Sequence, residues 1–352
     1  MRRIIESAYL INPNIIQIFL ALIVFIILDF LWLTSLPKWG ISYGPGKTTA
    51  IVFTFLRFGF FVIWTILQVL VKWIRPETQH FSVWSFIIPN LLLLCFGIYG
   101  FCIEPFHLTQ SHIEVKVPGL SRPVRIVQLS DIHVEFTTRR EKELPGYVSK
   151  FNPDMIVITG DLINETYGNN PQSIHDLRDL MNKHSAPMGI YAVNGNVEPP
   201  QHLQMMLEGT QVHVLEDQIV RIPEISPNFV MIGLDYVDLD VDKIELQKLM
   251  AELSPDDYSL LLYHKPDLIY SASDLNVDLY LAGHTHGGQV RLPFYGAIFS
   301  NSIYGKKFEM GLYNVENTTL FVSRGLGFTG GIAPRIRFLA PPEIVVIDLI
   351  PQ

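Results

Sequence analysis

The hydrophobic pattern divides the chain before any motif is considered. Up to about residue 103, three long apolar runs follow one another, over residues 14–36, 51–71 and 81–102. Each is close to the ~20 residues that cross a bilayer core at about 1.5 Å per residue. Trp32, Trp39, Trp64, Trp73 and Trp84 fall mostly towards the run ends, where an interfacial aromatic belt is expected. Three such runs in succession predict a membrane anchor of three transmembrane helices over residues 1–103. A cleavable signal peptide is a poor reading, because the first run is long and two more follow it.

From about His112 the pattern changes to short apolar stretches alternating with amphipathic ones. Strands are predicted over 113–117, 125–129, 155–158, 189–193, 229–232, 259–263 and 277–281, and helices over 139–150, 173–184, 201–208, 243–253 and 267–275. In the fourth helix Ile244, Leu246, Leu249, Met250 and Leu253 fall largely on one stripe. Strand–helix alternation with short loops predicts one α/β domain over residues 104–352, its sheet faces covered by helices.

Composition sharpens this division. The chain has 352 residues, 49% of them hydrophobic, and the excess is concentrated in the front. Residues 104–352 hold 19 of the 26 basic and 31 of the 34 acidic groups, a formal charge of −12. So acidic a domain repels phosphate backbones, which argues against nucleic acid as a partner. Cys95 and Cys102 lie seven residues apart in one apolar run, too far along a helix for a disulfide. With three spans, Arg2, Arg3, Lys72 and Arg75 share one side of the membrane, and Lys38, Lys47 and the domain share the other. That charge count leans towards an outward-facing domain. Asp29 and Arg57 sit inside apolar runs, where a charge is costly; mutual pairing and snorkelling both remain open.

The candidate chemistry sits where predicted strands end. Those ends carry Asp131 and His133, Asp161, Asn196, His264, and His284 with His286. In open α/β sheets ligands gather outside the carboxyl ends of strands, so five ends deliver seven donors to one edge. Carboxylate, amide oxygen and imidazole without thiolate suit Mn²⁺, Fe, Zn²⁺ or Mg²⁺. His107, His175, His184, His202 and His213 follow no such pattern and are read as packed or surface residues.

In order and spacing, SDIH (130–133), TGDLIN (159–164), NGN (194–196), YHKPD (263–267) and GHTHGGQVRLP (283–293) resemble the calcineurin-like metallophosphoesterase family, over about residues 124–350. Together with the tail SRGLGFTGGIAPRIRFLAPPEIVVIDL (323–349), they are similar to its membrane-anchored bacterial branch. The resemblance implies a four-layer α-β-β-α sandwich with two divalent metals, Mn²⁺ foremost, in a cleft at the strand ends. It implies Asp131, His133, Asp161 and His286 on the first metal. Asp161 would bridge to a second, held by Asn196, His264 and His284.

In such a centre each metal binds a phosphoryl oxygen, and a bridging water is acidified to near neutrality. The expected reaction is in-line attack of that hydroxide on phosphorus, with Asp161 and Asn196 acting through the metals. Arg324, Arg335 and Arg337 are candidate phosphate contacts, with surface ion pairing as the alternative. The family usually places a histidine after the Asn-containing motif, where this chain has Val197. General-acid assistance is typically worth ~10²–10⁴-fold, and an alkoxide leaving group needs it where a phosphate does not. Phosphoanhydride cleavage in an amphiphilic, phosphate-containing lipid is therefore expected. The branch resembled implies UDP-2,3-diacylglucosamine, split to diacylglucosamine 1-phosphate and UMP during lipid A synthesis. That places the protein as a multi-pass protein of the bacterial cytoplasmic membrane with its catalytic domain in the cytoplasm. Two alternatives stand beside it: an extracytoplasmic phosphodiesterase for phospholipid or envelope polymer, and a non-enzymatic metal-binding membrane protein. The apolar stretch 292–299 is a candidate acyl-chain groove or plain core.

Overall fold

A computed structural model describes residues 12–41, 46–198, 202–329 and 334–352; Arg2, Arg3, Gln201 and part of the 323–349 tail lie outside the described residues. The chain forms two compact units, Met1–Cys102 with Gly330–Arg335, and Ile103–Thr329 with Ile336–Gln352.

In the first unit the apolar runs fold as helices α1 (Ile15–Ser35), α2 (Gly46–Ile74) and α3 (Trp84–Ile98). With their flanking turns they give three segments long and apolar enough to cross a membrane: Ile15–Trp39, Gly46–Ile74 and Trp84–Phe106. Ile18, Leu22, Trp64 and Phe86 pack inside, while Phe55 and Leu92 face outward. Trp39, Trp73 and Trp84 are exposed near helix ends as a belt requires, but Trp64 is interior, donating from Nε1 to Ser85 Oγ at 3.0 Å. Asp29 and Arg57 pair. The guanidinium donates from Nε and Nη2 to the Asp29 carboxylate, and from Nη1 to Asn90 O and Oδ1 at 2.9 and 2.8 Å. Fully buried, the pair ties all three helices together, the arrangement in which an intramembrane charge is tolerated.

The second unit has two six-stranded sheets. Its first sheet is built from β1 (Thr109–Val117), β2 (Val124–Leu129), β3 (Met155–Thr159), β4 (Ile190–Val193), β5 (Val212–Val214) and β14 (Glu343–Pro351), in the order β1-β14-β2-β3-β4-β5. The second contains β6 (Gln218–Arg221), β7 (Phe229–Gly233), β8 (Tyr258–Leu262), β9 (Leu279–Ala282), β12 (Gly311–Val315) and β13 (Thr318–Val322), in the order β12-β13-β9-β8-β7-β6. Strands β2, β3, β4 and β5 run parallel, as do β7, β8, β9 and β13.

Side-chain alternation explains the layering. Ile126, Val157, Met231, Leu260 and Leu281 meet in a core between the sheets. Their neighbours Val127, Ile156 and Ile158 pack outward beneath α4 (Arg139–Lys150) and α5 (Pro171–Met181), through Leu144, Val148, Leu177 and Leu180. On the far side Val230, Ile232 and Leu261 pack beneath α7 (Leu239–Ala251) and α8 (Ile269–Asp274); the short α6 (His202–Met206) lies between β4 and β5 in sequence. The result is the expected α-β-β-α sandwich. Two local expectations fail. α7 starts four residues early because Asp238 caps it, accepting from Asp240 N at 3.0 Å; Ile244 is exposed while Leu246 and Leu249 are buried, because at about 100° per residue it lies on the opposite face. Strands over 311–322 and 343–351 are absent from the sequence reading, although β14 is central to the first sheet.

Candidate metal centre

Strands β2, β3 and β4 of one sheet and β8 and β9 of the other end on the same edge of the sandwich, and there the seven donors converge. Asp131, His133 and His286 form one cluster, and Asp161, His264 and His284 a second, with the ligand atoms of each within 4.8 Å of one another. In the first, His286 Nε2 lies 3.3 Å from Asp131 Oδ1 and 3.2 Å from His133 Nε2. In the second, His284 Nδ1 lies 3.1 Å from His264 Nε2, which also faces Asn196 Oδ1 at 2.9 Å. Asp161 Oδ2 stands between them, 3.5 Å from His133 Nε2 and 3.3 Å from His264 Nε2. Six of these side chains are no more than 3% exposed, whereas Asn196 is exposed and marks the open side.

The backbone is bent to deliver them. Asp131, His133, Asp161, His284 and His286 all adopt left-handed φ between 48° and 68°. Non-glycine residues rarely accept that region, and such strain collects where surrounding structure over-determines a site. Close approach adds a second constraint: a Cβ on Gly195 would lie 2.0 Å from Asp161 Oδ1, and one on Gly283 would lie 2.3 Å from Asp131 Oδ2. Hydrogen bonds hold the donors in place. Asp131 accepts from His284 N, and Asp161 Oδ1 from Asn196 N and Val197 N at 2.9 and 3.2 Å. His264 Nδ1 donates to Thr159 O at 2.8 Å, so that in its neutral form the ring directs an Nε2 lone pair into the cluster.

Charge in the centre is unbalanced in the direction a cation corrects. Burial and the neighbouring Asp161 push Asp131 up to about 6 and Glu198 up to about 7. Burial also opposes ionisation of Asp161, but the facing imidazoles, His264 foremost, hold it below the carboxylate range. His264 is itself raised to about 9: burial disfavours its charge, and the Asp161 carboxylate overrides that. His284 and His286 are driven down by burial and by their neighbouring histidines, so both are neutral bases at pH 7. Buried carboxylates beside neutral imidazole nitrogens fit two divalent cations.

Glu198 was not foreseen in the sequence. Its buried carboxylate accepts from Asp161 N, Gly195 N and Ile163 N at 3.2, 3.0 and 3.1 Å, clamping the loops after β3 and β4 together. Only its position two residues past Asn196 hinted at this. The arginine candidates have other partners. Arg324 pairs with Glu343 at 2.9 Å and donates to Thr109 Oγ1. Arg337, fully buried, donates to the carbonyls of Arg324, Gly325, Gly327 and Ala340. Its Nη2 lies 3.3 Å from His286 Nδ1, so it braces a donor's imidazole ring rather than facing the open side. Arg335 is buried and belongs to the first unit. His184 donates to Leu180 O and His213 packs at a tilt against Tyr191, and neither belongs to the two clusters.

Several curated proteins are similar to this chain, three of which are informative here. YkuE, an uncharacterized metallophosphoesterase of Bacillus subtilis, is 34% identical over 268 residues, which cover 72% of this chain and 90% of YkuE. An uncharacterized metallophosphoesterase of Campylobacter jejuni is 33% identical over 247 residues, 67% of this chain and 62% of that protein. The UDP-2,3-diacylglucosamine pyrophosphatase LpxG of Chlamydia muridarum is 27% identical over 310 residues, covering 70% and 90% respectively. Residues 124–288 match the calcineurin-like phosphoesterase family, a stretch that spans all seven converging donors. With that match and the kinship to YkuE, the chain belongs to the calcineurin-like metallophosphoesterases and is a metal-dependent phosphoester hydrolase.

Proposed function

We propose that the protein is a membrane-anchored hydrolase that cleaves the phosphoanhydride of a lipid substrate, with UDP-2,3-diacylglucosamine as that substrate. Water adds across the P–O–P link to give 2,3-diacylglucosamine 1-phosphate and UMP. Asp131, His133, Asp161 and His286 would hold one divalent cation, and Asp161, Asn196, His264 and His284 the other; Mn²⁺ is our assignment, in a donor set that also suits Mg²⁺, Fe and Zn²⁺. Bound there, the ions supply Lewis acidity to phosphoryl oxygens and acidify a coordinated water.

Val197 carries the choice of leaving group. Its N–H is held by Asp161 Oδ1 at 3.2 Å beside the exposed Asn196, and its side chain has no proton to give. Whichever phosphorus of an anhydride is attacked, a phosphate monoester leaves, and it departs without protonation. The pyrophosphatase activity of LpxG and the three apolar helices support the same reading. It places the protein in the bacterial cytoplasmic membrane as a multi-pass protein, its second unit towards the cytoplasm where UDP-sugars are made.

The test is UMP release from UDP-2,3-diacylglucosamine by the purified full chain across Mn²⁺, Mg²⁺, Fe²⁺ and Zn²⁺. Cleavage of a chromogenic phosphodiester without UMP release under any ion would refute the anhydride assignment. The loop charge count favours a second reading, a phosphodiesterase acting outside the cytoplasm. A reporter fused at Gln352 that is active only outside would select it.

A further inference from the structure

The segment that follows the His284–His286 turn carries a surface the proposed reaction does not use. β10 (Arg291–Leu292) and β11 (Gly296–Ala297) pair antiparallel as a short hairpin. At its tip Phe294 has left-handed φ of 63° and projects fully into solvent. Tyr295, Ile298, Phe299 and Ile303 are 60%, 56%, 71% and 62% exposed. Bulky apolar side chains exposed this densely mark an interaction surface. The sequence alternatives for this stretch included plain core, and these exposures overturn that one.

The hairpin is fixed rather than loose. Arg291 Nη2 binds Glu309 Oε1 at 2.8 Å and its Nη1 donates to Gly287 O at 2.8 Å. Glu309 also accepts from Ala297 N at 3.2 Å, and its carbonyl from Thr285 Oγ1 at 2.7 Å. The apolar tip is thereby pinned to the turn that carries His286. Beside it is a basic rim within an otherwise acidic domain. Lys306 Nζ lies 3.5 Å over the Tyr295 ring, and Lys307 Nζ 5.1 Å over the Tyr270 ring.

Chain connectivity and charge argue for a lipid bilayer as the occupant of this patch. The third apolar segment ends at Phe106 and β1 begins at Thr109, so two residues separate a membrane-length helix from the sheet. A span of n residues reaches at most ~3.6 Å × n, so a bilayer entered by that segment begins within about 10 Å of the first residue of β1. Aromatic and aliphatic side chains favour the headgroup–acyl boundary, and lysines favour anionic headgroups.

We propose that the β10–β11 hairpin docks on an anionic lipid bilayer, Phe294 and Phe299 entering the boundary and Lys306 and Lys307 meeting the headgroup phosphates. The metal centre is thus held at the lipid surface. This rests on the membrane-anchored reading of the chain, not on the identity of the substrate.

The test labels the full chain, in a Cys95→Ser, Cys102→Ser background, with an environment-sensitive dye at Phe294→Cys or Phe299→Cys. Ser149→Cys, exposed on α4, is the reference position, and metal content equal to the parent's shows that each variant folds. The proteins are reconstituted in phosphatidylcholine vesicles with and without phosphatidylglycerol. Expected are blue-shifted emission and quenching by doxyl-labelled lipid at 294 and 299 but not at 149. Phosphatidylglycerol should strengthen both, and Lys306→Glu with Lys307→Glu should remove that increment. Emission at 294 and 299 indistinguishable from 149, with equal quenching by iodide, overturns the proposal. So does a shift seen only on adding a diacyl substrate, which would make the patch an acyl-chain site. A shift that follows protein density rather than lipid would make it a contact between copies, and equally overturns it. UMP release is not read, so failure of the substrate assignment leaves this result interpretable.

Discussion

Glu198 offers the sharpest test of how the centre is built, because its carboxylate touches only backbone. Oε2 accepts from Asp161 N and Gly195 N, and Oε1 from Ile163 N, all at 3.0–3.2 Å, in a side chain 3% exposed. Glu198→Ala strands three buried donors at once. Each unsatisfied buried N–H costs ~1–3 kcal/mol, so the sum is about 3 kcal/mol at the low end. At 2–4 °C per kcal/mol for a unit of this size, the melting temperature should fall by ~6–12 °C or more. Glu198→Gln keeps the shape but turns one oxygen into an NH₂ donor facing a backbone donor, an intermediate loss of ~1–3 kcal/mol. The same bonds set the approach of Asp161 to Asn196, so both variants should lose metal from the second cluster first. Thermal unfolding in detergent and metal analysis after dialysis against apo buffer read the two effects. Should Glu198→Ala melt with the parent and retain two metals, the clamp is not what holds these loops.

Other consequences are equally direct. His264 is protonated below about 9 in the metal-free protein, while ligation requires its neutral form; metal binding at pH 7 should therefore release about one proton, and affinity should rise with pH towards 9. Calorimetry in buffers of different ionisation enthalpy measures the count, and no proton release refutes it. By the same sign, the apo form's stabilisation from the His264–Asp161 pair is full below 6.5 and is lost as pH rises through about 9. Arg337→Lys cannot reproduce the guanidinium fork over four carbonyls; by analogy with outer partners of metal ligands, metal affinity should drop ~10–100-fold, read by chelator competition. Asp29→Ala leaves a buried Arg57 without its carboxylate and should cost ~3–5 kcal/mol in detergent unfolding, which Asp29→Ala with Arg57→Leu largely restores. Val197→His should raise turnover of alkyl diesters relative to anhydrides by up to ~10²-fold, and an unchanged ratio would remove leaving-group chemistry as the reason for valine.

What could be read from the chain follows the range of the interactions involved. Strand ends bearing Asp131, Asp161, Asn196, His264 and His284 were legible because the apolar runs before them are short and their carboxyl ends point one way in a parallel sheet. Asp29 and Arg57 were legible as costly, yet choosing pairing over snorkelling required the helix faces to be placed against each other. Arg337 reads as a phosphate contact from its chemistry alone; its carbonyl partners are brought in by a loop whose path the sequence does not state. Ile244 lies on the far side of the helix from Leu246 and Leu249, and is exposed where they are covered; the Asp238 cap, which sets where the helix begins, was not read from the pattern. β14 had a signal in the run of β-branched residues from Ile344 to Ile347, and its insertion between β1 and β2 is a long-range pairing that local pattern does not encode.

Glu104, in the turn after α3, accepts from Leu339 N at 2.9 Å and from Ala340 N. Ala340 O in turn receives Arg337 Nη1, and Arg337 reaches His286. A metal donor is thus three hydrogen-bonded steps from the residue at which the chain leaves its last apolar helix. A released form beginning at Ile103 should therefore keep the latch and hold metal as the full chain does, whereas one trimmed to the first strand at Thr109 should lose it.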